Sequence, residues 1–93
     1  TVVELAENAS IPVINGLSDY EHPCQILADY LTILEHKNRV DGLNFAFIGD
    51  GNNVANSLLY ASVILGSDFS IASPAGYKIK PDIFDKAKEI ADK

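Results

Sequence analysis

The spacing of apolar residues along the chain predicts helices that alternate with short apolar runs. After Pro23, the leucines at 27, 31 and 34 recur at helical intervals and predict a helix over residues 23–37. Proline fits the first helical position, where its missing N–H costs little. A second apolar stripe lies beside the first and consists of Ile26, Tyr30 and Ile33. Two adjacent stripes indicate a helix that packs against more than one neighbour.

Three further segments have helical spacing: residues 1–9, about 53–65 and 81–93. Gly66 is a typical residue just after a helix end. The last helix begins at Pro81, and its inward-facing residues are predicted to be Ile83, Phe84, Ala87 and Ile90. Because the patterns at both ends look cut and no initiating Met is present, we expect an internal segment of a longer protein.

Between the helices, three runs predict strands, at residues 11–14, 43–48 and 68–72. The run 43–48 is almost continuously apolar, as expected for a central parallel strand covered on both faces. Strands that alternate with helices predict an α/β fold. The turn formers in residues 38–42 suggest a boundary, so we expect pieces of two parallel-sheet (βαβ) domains, residues 1–37 and 38–93, joined by an interdomain helix.

Composition and charge exclude several classes of function. The chain is 47% hydrophobic, which favours a globular fold, and it carries a net charge of -6 with only seven Lys and Arg. Too few basic residues are present for a nucleic-acid partner or an anionic membrane surface. The apolar runs are far shorter than the roughly 20 residues of a membrane span. A single cysteine, Cys24, cannot form an internal disulfide, which indicates a cytoplasmic protein.

The first candidate site is the turn at residues 49–53 (Gly-Asp-Gly-Asn-Asn), which follows a strand and opens a helix. It resembles the start of a dinucleotide fingerprint, but Val54 replaces the third glycine and no acidic residue stands about 20 positions later. Asn52 or Asn53 could simply cap the helix. Two successive amides exceed what one cap requires, and the second would lie where α/β sheets bind ligands.

The second candidate site is the helix start at His22, Pro23 and Gln25. Pro23 keeps His22 out of the helical conformation, so its imidazole projects from the helix opening. His22 and Gln25 together offer donors and an acceptor that could polarise a carbonyl oxygen and recognise a neighbouring NH2 group. The positive end of the helix dipole would favour a phosphate or a developing oxyanion there. The alternative is an ordinary surface histidine before a helix-starting proline.

Other reactive side chains give weaker signals. Cys24 could be a reactive thiol, but no second histidine stands near it in sequence. His36 is expected to be solvated, and the histidines and cysteine do not have the spacing of a zinc site. The acidic residues of the last helix predict a solvated face and comprise Asp82, Asp85, Glu89 and Asp92.

Three segments together resemble the aspartate/ornithine carbamoyltransferase superfamily. They are residues 14–19 (Ile-Asn-Gly-Leu-Ser-Asp), 22–29 (His-Pro-Cys-Gln-Ile-Leu-Ala-Asp) and 49–54 (Gly-Asp-Gly-Asn-Asn-Val), followed by Ser57. The His-Pro-x-Gln part is shared with aspartate and putrescine carbamoyltransferases. The Gly-Asp-Gly-Asn-Asn part is similar to the ornithine carbamoyltransferases, and the similarity extends over essentially all 93 residues.

The resemblance implies transfer of a carbamoyl group from carbamoyl phosphate to the δ-amine of L-ornithine, giving citrulline and phosphate. His22 would hydrogen-bond the carbamoyl oxygen, Gln25 would recognise the carbamoyl NH2, and Asn53 would bind the α-carboxylate of ornithine. Asp29 would support Gln25 or be a helix-surface acid. No metal or organic cofactor is implied.

The same resemblance assigns residues 1–37 to a carbamoyl-phosphate-binding domain with its linking helix, and 38–93 to an ornithine-binding Rossmann-like domain. It implies a homotrimer or a multiple of trimers. The family's upstream Ser-Thr-Arg-Thr loop and downstream His-Cys-Leu-Pro segment are not among these residues, so we expect the 93 residues alone to be inactive. The alternatives are another acceptor, putrescine or aspartate, and a non-catalytic nucleotide-binding α/β module.

Overall fold

The computed structural model describes all 93 residues and contains four helices and two strands. In chain order they are α1 (Val2–Asn8), α2 (Pro23–Lys37), β1 (Asn44–Ile48), α3 (Asn53–Leu65), β2 (Asp68–Ala72) and α4 (Pro81–Ala91). The predicted α/β class is therefore confirmed, and the four predicted helices all form. Pro23 and Pro81 both stand at helix starts, where a missing N–H is tolerated.

The sheet has two parallel strands, and α3 connects them. Asn44 pairs with Asp68 at one end and Ile48 with Ala72 at the other. Gly66 ends α3 in the left-handed conformation, with φ of 77°. A residue without a Cβ adopts this conformation at little cost, so the chain can turn from α3 directly into β2.

The core lies where α3 and α4 pack together. Its buried members are Leu59, Ile83 and Ala87, and Phe69 of β2 packs against them from the sheet. Helix α2 joins this unit through Tyr30, whose ring lies 5.2 Å from that of Phe45 on β1. The Tyr30 hydroxyl and Ser67 Oγ are 2.6 Å apart, so this buried phenol is also hydrogen-bonded.

The structure differs from the sequence-based expectation at two of the three apolar runs that were predicted as strands, residues 11–14 and 43–48. Residues 11–14 form no strand, because no second strand lies beside them to pair with their backbone groups. The expected second sheet is therefore not seen, and all sheet structure lies within residues 44–72. In β1, exposed and half-buried residues alternate, and Ile48 is 87% exposed, because helices cover only one face of the sheet.

On α2, only the stripe containing Ile26 and Tyr30 is buried. The leucine stripe remains exposed, with Leu27 at 65%, because no other element of the chain packs against it. On α4, Ile83 and Ala87 point inward as predicted, whereas Phe84 is largely exposed. No helix combines the length and the apolar character that crossing a bilayer requires.

Candidate functional site

The loop of residues 18–22 lies across the first turns of α3 and is held there by three α3 side chains. Asn53 Nδ2 donates to the Ser18 carbonyl at 2.9 Å, and Asn56 Nδ2 donates to the Tyr20 carbonyl at 3.0 Å. Ser57 Oγ accepts a hydrogen bond from the His22 N–H at 2.9 Å. Residues 53, 56 and 57 lie on one side of a helix. We call these three side chains the anchor face of α3.

This contact brings the two candidate sites together. The loop meets Asn53 at its Ser18 end and Ser57 at its His22 end. Residues four apart on a helix are separated by about 6 Å along its axis. The His22 backbone and the Asn53 side chain therefore lie on the same side of α3, about one turn apart. The first residues of α2 and of α3 are thus neighbours.

His22 occupies the N-cap position of α2, with φ of -133° and ψ of 65°. Its side chain makes no capping hydrogen bond. The ring Nδ1 is buried and has no hydrogen-bond partner. Unpaired buried polar atoms are costly and uncommon in folded proteins.

Gln25 is the third residue of α2 and lies in its exposed first turn, and Asp29 follows one turn later. Gln25 Nε2 donates to Asp29 Oδ1 at 2.9 Å. An amide nitrogen carries two hydrogens, so this bond leaves one Gln25 N–H and its carbonyl oxygen available. Asp29 thus contacts Gln25 directly and limits the directions in which its amide can point.

The two asparagines that open α3 have different contacts. Asn52 is the N-cap, and its side chain accepts a hydrogen bond from the Ala55 N–H at 3.1 Å. Asn53 Oδ1 accepts from the Val54 N–H at 2.9 Å, while its Nδ2 donates to Ser18. Asn52 therefore accounts for the helix cap, and Asn53 connects the helix opening to the 18–22 loop.

Gly51 allows this turn to lie against the loop that precedes α4. Its N–H donates to the Tyr77 carbonyl at 2.6 Å. A Cβ at this position would overlap the backbone of Lys78 and Ile79. A side chain at residue 51 would push the loop away, so the sequence keeps glycine here for close approach rather than for a positive φ.

The remaining candidate groups stand apart from this contact. Cys24 is exposed, and its thiol lies 3.4 Å from the Asn15 carbonyl. His36 is exposed near the end of α2. No three His, Cys, Asp or Glu side chains are grouped as a metal site. The sequence patterns did not predict the contacts of Asn56 and Ser57 with the 18–22 loop. These two polar residues stand three and four positions after Asn53 on a largely apolar helix, and that spacing indicates a shared polar face.

Beside the loop, a groove of about 340 Å³ runs between α2, α3 and α4. Tyr60 lines it, and burial raises the pKa of its phenol above the usual value of 10.0. The negative charges of Glu21 and Asp82 raise the pKa further. The Tyr60 phenol therefore keeps its proton to a higher pH than an ordinary tyrosine does.

Two family models match the chain. Residues 41–93 match the Asp/Orn binding domain of aspartate/ornithine carbamoyltransferase, and residues 1–35 match its carbamoyl-P binding domain. The chain belongs to the aspartate/ornithine carbamoyltransferase family. Within this family's two models, His22 and Gln25 fall in the carbamoyl-P binding part and Asn53 in the Asp/Orn binding part.

Individual carbamoyltransferases give the same picture. The chain is 57% identical over its full length to an ornithine carbamoyltransferase of Methanosarcina mazei, and 56% identical over 97% of its length to a catabolic ornithine carbamoyltransferase of Thermoplasma volcanium. It spans 31% and 30% of these two proteins, respectively. It therefore corresponds to less than a third of the length of either relative.

Solved structures of the family superpose closely on the chain. Ornithine carbamoyltransferase from Pyrococcus furiosus matches 98% of it with a TM-score of 0.92 and 48% identity, and the chain covers 29% of that protein. The catalytic subunit of aspartate transcarbamoylase from M. Jannaschii matches 96% of it with a TM-score of 0.78 and 29% identity, with 30% of that protein covered. The fold of this segment is thus shared by family members named for different acceptors.

Proposed function

We propose that the protein containing these residues transfers the carbamoyl group of carbamoyl phosphate to the δ-amine of L-ornithine, giving citrulline and phosphate. The observation that carries the proposal is the contact between the 18–22 loop and the anchor face. It joins the opening of α2, with His22 and Gln25, to the opening of α3, with Asn53. In this proposal, residues 1–37 belong to the carbamoyl-phosphate domain and 38–93 to the ornithine domain.

His22 stabilises the negative charge that develops on the carbamoyl oxygen. The δ-amine nitrogen attacks the carbamoyl carbon, and the bond from that carbon to the phosphate oxygen breaks. The departing phosphate takes the electron pair of that bond and the proton that the amine loses. An imidazole donor placed at the oxygen lowers the barrier because charge grows there in the transition state. The positive ends of the α2 and α3 dipoles act in the same direction.

Gln25 recognises the carbamoyl NH2 through its amide oxygen. Its contact with Asp29 supports this role, because the carboxylate accepts one Nε2 hydrogen and so fixes which side of the amide carries the oxygen. Asn53 binds the α-carboxylate of ornithine through the second hydrogen of Nδ2, the first being donated to Ser18. We further propose a homotrimer, or a multiple of trimers, in the cytoplasm.

The proposal is tested with the whole enzyme by measuring citrulline formation from carbamoyl phosphate and L-ornithine, with putrescine and aspartate as rival acceptors. We expect ornithine to be the preferred acceptor. The His22→Ala variant should lose about 100-fold or more in kcat, because it lacks the oxyanion donor, with a much smaller change in the KM for ornithine.

His36→Ala is the control, since it removes the other histidine at the far end of α2. It should leave both constants unchanged. Preference for aspartate or putrescine would contradict the acceptor assignment, and equal losses in kcat and ornithine affinity in His22→Ala would contradict the role of His22.

A further inference from the structure

Ser57 is the one side chain of α3 that holds the backbone of His22. Its Oγ accepts the His22 N–H at 2.9 Å, across 35 residues of sequence. The serine is buried, with 6% of its surface exposed, so water has little access to its hydroxyl group. If that hydroxyl is removed, the His22 N–H is left without a partner in a partly buried site, where an unpaired donor is unfavourable.

Little else of a polar nature restrains His22. The imidazole Nδ1 has no partner, and the side chain does not cap α2. The only other hydrogen bond is a long one, from the Ile26 N–H to the His22 carbonyl at 3.4 Å. The next residue is Pro23, which has no N–H to contribute. The position of the imidazole relative to the start of α2 therefore depends on where the Ser57 hydroxyl holds the His22 main chain.

Ser57 also connects His22 to the acceptor half of the site. It lies one helical turn after Asn53, on the same anchor face, and the two side chains hold opposite ends of the 18–22 loop. Because both are on one rigid helix, the spacing between the two loop ends is set by α3. Neither end can move far without breaking a hydrogen bond to the helix.

We propose that Ser57 is a positioning residue for carbamoyl transfer, which holds the His22 main chain so that the imidazole stands at a fixed distance from the acceptor bound by Asn53. This inference rests on the proposed function. Ser57 does not touch the substrates. Loss of its hydroxyl should lower the rate of the chemical step, which depends on the placement of His22, and leave ornithine binding almost unchanged.

The test uses the whole enzyme with four variants. Ser57→Ala removes the acceptor, and Ser57→Thr retains a hydroxyl at the same place. Ser62→Ala is the matched control, because Ser62 is also buried on α3 but its hydroxyl donates only to the Leu59 carbonyl of the same helix. Ser57→Cys keeps a weaker acceptor and replaces the alanine variant if that variant does not fold.

Two readouts are measured for each variant: kcat with the KM for ornithine, and hydrogen exchange of the His22 amide. We expect Ser57→Ala to lower kcat about tenfold and to speed exchange at His22 about tenfold, with the ornithine KM changed less than about twofold. Ser57→Thr should restore most of the rate, and Ser62→Ala should change neither readout. For Ser57→Cys we expect intermediate values.

A Ser57→Ala enzyme with unchanged kcat overturns the inference, and so does an equal loss of rate in Ser62→Ala. A parallel fall in ornithine affinity also overturns it, because that result indicates general damage to the fold. If the unaltered enzyme makes no citrulline, the proposed function fails and the positioning role fails with it. That outcome is recognised from the unaltered enzyme alone, before any variant is compared.

Discussion

The side chain of Asn53 is fixed from two directions. Its Oδ1 accepts from the Val54 N–H, and one Nδ2 hydrogen is donated to the Ser18 carbonyl. The second Nδ2 hydrogen is left for another acceptor, and the amide cannot flip without losing both bonds. An amide held in this way presents a donor in one direction, as recognition of a carboxylate requires.

This geometry predicts different results for the two neighbouring asparagines. Under the proposed function, Asn53→Ala in the whole enzyme should raise the KM for ornithine by roughly 10- to 100-fold, since the proposed hydrogen bond to the ornithine carboxylate is lost. Asn52→Ala should cost about 1 kcal/mol of stability as a lost N-cap and leave that KM within about twofold. Steady-state kinetics and urea unfolding measure the two effects. A similar rise in KM for both variants would rule out a specific role for Asn53.

Tyr60 gives a prediction about alkaline pH. Burial, with the charges of Glu21 and Asp82, raises the pKa of its phenol in the folded chain above 10.0, the value for an unfolded tyrosine. Above pH 10 the unfolded state therefore loses this proton before the folded state does. The stabilising contribution is complete below pH 10 and is lost as the pH rises through the folded pKa.

Urea unfolding between pH 8 and pH 11 measures this effect. Tyr60→Phe should show a smaller fall in the free energy of unfolding above pH 10 than the unaltered chain. Tyr77→Phe, which removes an exposed phenol, is the matched control. An alkaline fall that is just as steep in Tyr60→Phe would show that other groups cause it.

At the scale of elements, two sides of α3 make different contacts. One side contributes Leu59 to the core, and the other carries the anchor face that binds the 18–22 loop. The turn between β1 and α3 must also fit against the loop before α4, where Gly51 meets Lys78 and Ile79. The position of the site therefore depends on how the β1–α3 turn packs, as well as on the side chains that it carries.

Gly51→Ala tests this packing. The added methyl group overlaps the backbone of residues 78 and 79, so we expect it to destabilise the chain by about 1–3 kcal/mol. Gly16→Ala is the control, because a Cβ at residue 16 meets no atom within 4 Å. Chemical unfolding of both variants gives the comparison. If Gly51→Ala is as stable as Gly16→Ala, the close approach of the turn and the loop is not important for stability.

At the scale of the whole molecule, the chain has a small core and large exposed apolar surfaces. Only 10 of 93 residues are buried, and the core cluster consists of Leu59, Ile83 and Ala87. Leu31 on α2 and Ile48 on β1 remain exposed. Stability therefore depends on a few contacts between α3 and α4.

This distribution predicts unequal effects of two apolar substitutions. Ile83→Ala should cost about 2–5 kcal/mol, because it leaves a cavity in the small core. Leu31→Ala, at a residue that is 56% exposed, should change stability by less than about 0.5 kcal/mol. The free energies of unfolding in urea provide the measurement. A large loss in Leu31→Ala would mean that the leucine stripe is covered in solution.

The sequence by itself determined the helices, the two parallel strands and the residues of the candidate site. Helix starts at Pro23 and Pro81, the stop at Gly66 and the spacing of apolar residues act locally, over one or two turns, and so they can be read without knowing the fold. The motifs at residues 22–25 and 49–53 were likewise evident, since each depends on neighbouring residues.

Only the tertiary structure decided which apolar stripes are covered and how the two motifs meet. Residues 11–14 have the composition of a strand but no pairing partner, and the leucine stripe of α2 has no neighbour. The anchoring of Ser18 and His22 by α3 joins residues 35 positions apart. Such contacts depend on how whole elements pack, which local spacing does not specify.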